Sequence, residues 1–136
     1  MEQILLIIGA SIFGILGTFH LIYTFVTNKV DSYDPSVTEA MKNTSLILTK
    51  DTSVWNAWVG FNASHSLGAM LFAGIYIPLS AFHLNVIQDS LWFSFLPVLI
   101  GLSYLALAKK YWFKIPFVGI LISSICFLSA AVLINT

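Results

Sequence analysis

The sequence predicts an all-α membrane protein, a four-helix transmembrane bundle with a short amphipathic interfacial helix between spans one and two. Three observations carry this prediction. Of 136 residues, 58% are hydrophobic and only 9% are charged, whereas a soluble domain carries about a quarter charged residues. Four apolar runs are long enough to cross a bilayer, which takes about 20 helical residues and tolerates about 17 to 25. All six lysines fall either between runs one and two or between runs three and four, and there is no arginine. Mean hydropathy is +0.90. This composition excludes a soluble single-domain enzyme, a nucleic-acid binder and a disordered segment. The partners it leaves are membrane lipids and a small amphipathic ligand.

Span one runs from about Ile4 to Val26. No basic residue precedes it and it exceeds a signal-peptide core, so a retained helix is expected, not a cleaved signal. Span two, about Trp55 to Leu79, is the most polar and is expected to be the central helix. Span three, about Leu91 to Ala108, holds Pro97, where a kink is expected. Span four, about Ile115 to Ile134, opens at Pro116, a favoured first-turn residue. Nothing alternates with the period of a membrane barrel. The chain reads as one transmembrane domain.

The first loop, about Thr27 to Val54, is too long for a plain turn. Asp34-Pro35 is a helix opening, with Asp as cap and Pro at the first helical position. Val37, Ala40, Met41, Thr44, Ile47 and Leu48 then recur at three- and four-residue steps, the pattern of an interfacial amphipathic helix. Asp51, with Thr52 or Ser53, is expected to cap span two. Small residues should mark the closest helix contacts, because lipid gives helices no hydrophobic drive to associate. Two stripes qualify, Ala10/Gly14/Thr18 in span one and Gly60/Ser64/Gly68 in span two.

The lysine placement also predicts orientation. The positive-inside rule puts the 27–54 and 109–114 loops in the cytoplasm and both termini outside. The two sides then carry formal charges of +2 and −2, which together give the net zero. The single cysteine, Cys126, excludes an internal disulfide and reads as a small hydrophobe.

The chemistry concentrates in span two, in the block from Trp55 through Trp58, Asn62, Ser64, His65 and Ser66 to Gly68. With Asn62 at zero on a helical wheel, Ser64 falls at about 200°, His65 at about 300° and Ser66 at about 40°. Such a polar arc needs protein neighbours, since unsatisfied polar groups in hydrocarbon cost several kcal/mol. His20 is the other embedded ionisable group. On antiparallel spans it lies about 7 Å inward of the midplane and His65 about 3 Å, so the two imidazoles share a level to within about 5 Å.

Intramembrane ionisable residues are expensive and default to function. In one reading His20, Tyr23, Trp58, Asn62 and His65 line a pocket for a small amphipathic ligand, a quinone or a lipid. In a second, both histidines are purely structural, satisfied by Asn62, Ser64, Ser66, Tyr23 or Thr24. In a third they ligate haem, although no arginine is present for its propionates. A membrane-embedded enzyme is the remaining alternative. No Asp or Glu falls within the four predicted spans, so paired-carboxylate catalysis, proton pumping through buried acids and a carboxylate-bound metal are not expected; no catalytic residue or metal is assigned, and haem is the one cofactor left open.

The block Trp55-Asn-Ala-Trp58-Val-Gly-Phe-Asn62-Ala-Ser-His65-Ser-Leu-Gly68, with Gly17-Thr-Phe-His20-Leu-Ile-Tyr23, Lys110-Tyr-Trp-Phe113 and Pro116-Phe117, resembles an uncharacterised family of small bacterial four-span inner-membrane proteins. The resemblance covers most of the chain and implies that topology and location, but no activity. The family carries an arginine near its loop proline, which Asp34-Pro35 here lacks. That departure weakens a strict phosphate- or lipid-binding role for the loop.

Overall fold

The computed structural model describes residues 1–136 and consists of six helices with no strand. α1 (Glu2–Val26), α3 (Val54–Phe82), α5 (Leu91–Tyr111) and α6 (Lys114–Asn135) are apolar and long enough to cross a membrane. α2 (Pro35–Asn43) and α4 (Leu84–Gln88) are short. The all-α class, the four spans and the short helix between the first two all match the sequence reading.

The spans run past their expected ends. α3 continues through Pro78 to Phe82, and α5 continues through Pro97 to Tyr111. A membrane offers no water to satisfy a broken helix, so the ladder continues and the proline's lost bond is replaced from elsewhere. At Pro97 the replacement is visible. Its ring removes the N–H that would bond the Phe93 carbonyl, and the Tyr76 hydroxyl donates to that carbonyl at 3.1 Å. Tyr76→Phe is therefore expected to cost about 0.6 to 1.7 kcal/mol. The cost should vanish in a Pro97→Ala background, where the backbone N–H returns. Reversible unfolding of the four variants in mixed micelles measures this, and a Tyr76→Phe cost independent of Pro97 would refute the replacement.

The chain forms two compact units, Met1–Leu16 with Ala69–Thr136, and Gly17–Gly68; α1 and α3 contribute to both. The first unit is organised around aromatic rings. Phe13 meets Phe72 and Tyr104 edge-on, each at 5.2 Å, and Phe127 at 5.9 Å. Leu6, Ala10, Ile87, Ala130 and Ala131 close the core with no exposed surface. Close approach depends on glycine: a Cβ at Gly9 would run into the Phe127 ring, one at Gly14 would lie 2.9 Å from the Ala73 methyl, and one at Gly101 would lie 2.9 Å from the Ser124 hydroxyl. The Gln3 amide donates to the carbonyls of Ser80 and Ala81 at 3.0 and 3.2 Å, satisfying two orphan acceptors at the C-terminal end of α3.

This corrects the expected stripe in span two. A Cβ at Gly60 would meet nothing within 4 Å, and Ser64 and Gly68 are exposed. Spacing identifies small residues but not the face a neighbour occupies. Of the apolar stretch of α3 33% is buried, the same share as in α6 and slightly more than the 28% of α1 and α5.

The second unit joins the C-terminal turns of α1 to the N-terminal turns of α3 through α2. Asp34 caps α2 as expected, its carboxylate accepting from the Ser36 N–H at 2.9 Å and hydroxyl at 2.8 Å. Those two bonds, the hydroxyl's foremost, hold the Asp34 pKa below its ordinary value. The capped form is thus the charged one: its stabilisation is present above the ordinary aspartate pKa and is lost as pH falls through the lowered value. Amide protection at the start of α2, corrected for the intrinsic exchange rate, should fall over that acid range in the wild type. Asp34→Asn, which caps without titrating, should flatten the profile, and an unchanged profile would disprove the assignment.

α2 is shorter than its apolar pattern. It stops at Asn43, Thr44 is extended, and a Ser45–Ser53 bridge with Val54 N–H donating to the Thr44 carbonyl closes a hairpin instead. Ile47 and Leu48 stand on that hairpin fully exposed, and the residue α2 buries is Thr38. The cap of α3 is Ser53, whose hydroxyl accepts from the Asn56 N–H at 3.1 Å. Asp51 instead accepts from the Thr49 hydroxyl at 3.0 Å.

Candidate functional site

His20, three residues after the start of the second unit, and Asn62, on the N-terminal half of α3, meet directly. The His20 Nε2–H donates to Asn62 Oδ1 at 2.9 Å. The direction follows from the other end of the amide. Asn62 Nδ2 donates to the Trp58 carbonyl one turn back at 2.8 Å, and a carbonyl only accepts. Oδ1 therefore faces His20, so Nε2 carries the proton. In its neutral form, His20 is left with an unprotonated Nδ1.

His65 completes the cluster. Its ring lies 5.7 Å from that of His20, centroid to centroid, at 84° between planes. The depth arithmetic brought the two imidazoles to one level, and their edge-on approach shows that they also share one side of their helices. Both are half-buried.

The candidate hydroxyl partners Thr24, Ser64 and Ser66 are turned to their own helices. Thr24 donates to the His20 carbonyl at 2.8 Å, Ser66 to the Asn62 carbonyl at 2.9 Å and Ser64 to the Phe61 carbonyl at 3.1 Å. This back-bonding satisfies a hydroxyl in an apolar setting without a second helix. Of the candidate partners for His20, the amide is the one engaged.

Trp58 and Tyr23 sit differently. The Trp58 indole N–H donates to the Val30 carbonyl at 3.0 Å, pinning the loop after α1, and the side chain is 44% exposed. Its contribution to the cluster is the backbone carbonyl that orients Asn62. The Tyr23 ring packs on Phe19 at 6.3 Å and lies under the Lys29 ammonium at 4.4 Å. The pinned Val30 carbonyl was not legible in the sequence, because a backbone acceptor leaves no residue signature.

No group of three or more His, Cys, Asp or Glu side chains gathers anywhere in the chain. The fold and the cluster define the class: an all-α, multi-pass membrane protein with paired imidazoles on its apolar helices. Compared with family models, curated proteins and solved structures, the chain matches none.

Proposed function

We propose that the protein binds a small amphipathic molecule, a quinone or a lipid, at the His20–Asn62–His65 cluster. The observation that carries this reading is the 5.7 Å approach of two imidazoles on helices of membrane-crossing length. Polar rings at that depth are costly, and one amide suffices to orient His20. A quinone carbonyl or lipid ester needs one donor beside an apolar wall, which a protonated ring nitrogen provides. Haem fits this donor set poorly. His20 Nε2, protonated and spent on Asn62, has no lone pair for iron, which leaves that ring only Nδ1, and no arginine is present for the propionates.

The reading includes a bacterial inner-membrane location within the family the span-two block resembles. Both termini lie outside, and the 27–54 and 109–114 loops lie in the cytoplasm. The lysine placement supports the orientation. Labelling of Lys42→Cys in a Cys126→Ala background should require permeabilised cells, and labelling from the periplasm would overturn the topology.

Ligand binding is tested by titrating a short-chain quinone and, separately, a lysolipid against detergent-solubilised protein while following thermal unfolding. One of them should raise the midpoint, and His65→Ala should abolish the rise while leaving unliganded stability nearly unchanged. No shift with either probe, together with a loss of about 1 kcal/mol in His65→Ala, would show a structural pair instead.

A further inference from the structure

Within Gly17–Gly68, the loop after α1 and helix α2 enclose an open cleft of about 560 Å³, lined by Asn28, Asp31, Tyr33, Thr38, Glu39 and Lys42 among others. That volume lies within the range of small-molecule sites, about 300 to 1,000 Å³. The cleft is held by specific bonds. The Trp58 indole fixes Val30, the Ser32 N–H donates to the buried Thr38 hydroxyl at 3.1 Å, and Asp34 caps α2.

Its charges are two carboxylates and one ammonium. Lys42 Nζ lies 3.8 Å from Glu39 Oε2, with both side chains about half exposed or more, so the pair is weak and easily shared with a third group. The other Glu39 oxygen accepts from Asn43 at 3.1 Å, and Asp31 belongs to neither ion pair of the chain. A cleft of net negative charge repels a simple anion, and two carboxylates are too few to cage a divalent cation. A ligand carrying a cation beside an anion matches the set. The lining also begins directly after Val26, the last residue of a membrane-length helix, which is where lipid headgroups lie.

We propose that this cleft binds a phosphoethanolamine group, its primary ammonium received by Asp31 and Glu39 and its phosphate by Lys42. The surrounding bilayer is its source. With no arginine in the cleft, the carboxylates reading the ammonium carry the selectivity and Lys42 only assists. The site does not depend on the imidazole cluster.

Native mass spectrometry of the full chain in mixed micelles tests this with phosphatidylethanolamine, phosphatidylcholine and phosphatidylglycerol of matched acyl chains. Phosphatidylethanolamine should be retained at least tenfold over the other two. The Asp31→Asn/Glu39→Gln double variant should lose that preference, Lys42→Met should weaken retention several-fold, and Gly60→Ala, which lines neither the cleft nor the imidazole cluster, should change nothing. Because the double variant could misfold, soluble glycerophosphoethanolamine is also added to wild type, where it should displace the lipid. If free O-phosphoethanolamine binds as tightly as the lipid, the recognised chemistry stands and the source is a soluble molecule. Equal retention of the three lipids, or a preference that survives loss of both carboxylates, would overturn the proposal.

Discussion

Gly9→Ala should destabilise the protein by about 1 to 3 kcal/mol, the usual cost of overpacking a filled core. The added methyl would lie 2.8 Å from Phe127 Cδ1, 2.9 Å from Cζ, and closer still to Cε1. Phe127 is fully buried, and its ring is boxed by Phe13 at 5.9 Å and Phe72 at 5.6 Å, so it cannot swing aside as an exposed chain end would. Trimming the obstacle should relieve the strain. In the Gly9→Ala/Phe127→Leu double variant the two costs should sum to less than their separate total, with a coupling of about 0.5 to 3 kcal/mol. Gly60→Ala, whose methyl meets nothing within 4 Å, is the control and should stay within about 0.5 kcal/mol of wild type. Reversible unfolding in mixed micelles reads all four, and strict additivity would mean that the ring and the glycine do not meet.

Asn62→Ala should cost about 1 to 2 kcal/mol, the upper range for hydrogen bonds between membrane helices. It removes the acceptor of the His20 Nε2–H and the donor to the Trp58 carbonyl together. Stability alone would not distinguish this from lost packing, so the sharper measurement is the nitrogen spectrum of the His20 ring. The wild type should show the Nε2–H tautomer, and the variant should lose that preference. A wild-type Nδ1–H tautomer would contradict the amide orientation outright.

The apolar runs made α1, α3, α5 and α6 legible in the sequence, because a bilayer leaves helices few alternatives. Their ends were less so. α3 and α5 run past the expected Leu79 and Ala108 to Phe82 and Tyr111, and Pro97, where the sequence predicts a kink, lies in a continuous helix whose compensating hydroxyl comes from Tyr76 on another helix. The packing glycines were partly misread for the same reason: Gly9 and Gly60 look alike in sequence and differ in whether a ring stands opposite. Depth alone put His20 and His65 at one level, but not that their rings meet edge-on. The role of Asn62 did not, because it depends on the carbonyl one turn back that fixes which end of the amide faces out.

That fixed amide has a consequence for charge movement. A relay through an imidazole must take a proton on one nitrogen and release it from the other. At His20 the release side abuts a carboxamide oxygen, which cannot pass a proton onward without becoming an imidic acid, and turning the amide over would break its bond to the Trp58 carbonyl. A proton arriving at Nδ1 must leave the way it came. His20 is a dead end for hydrogen ions, unsuited to conducting current.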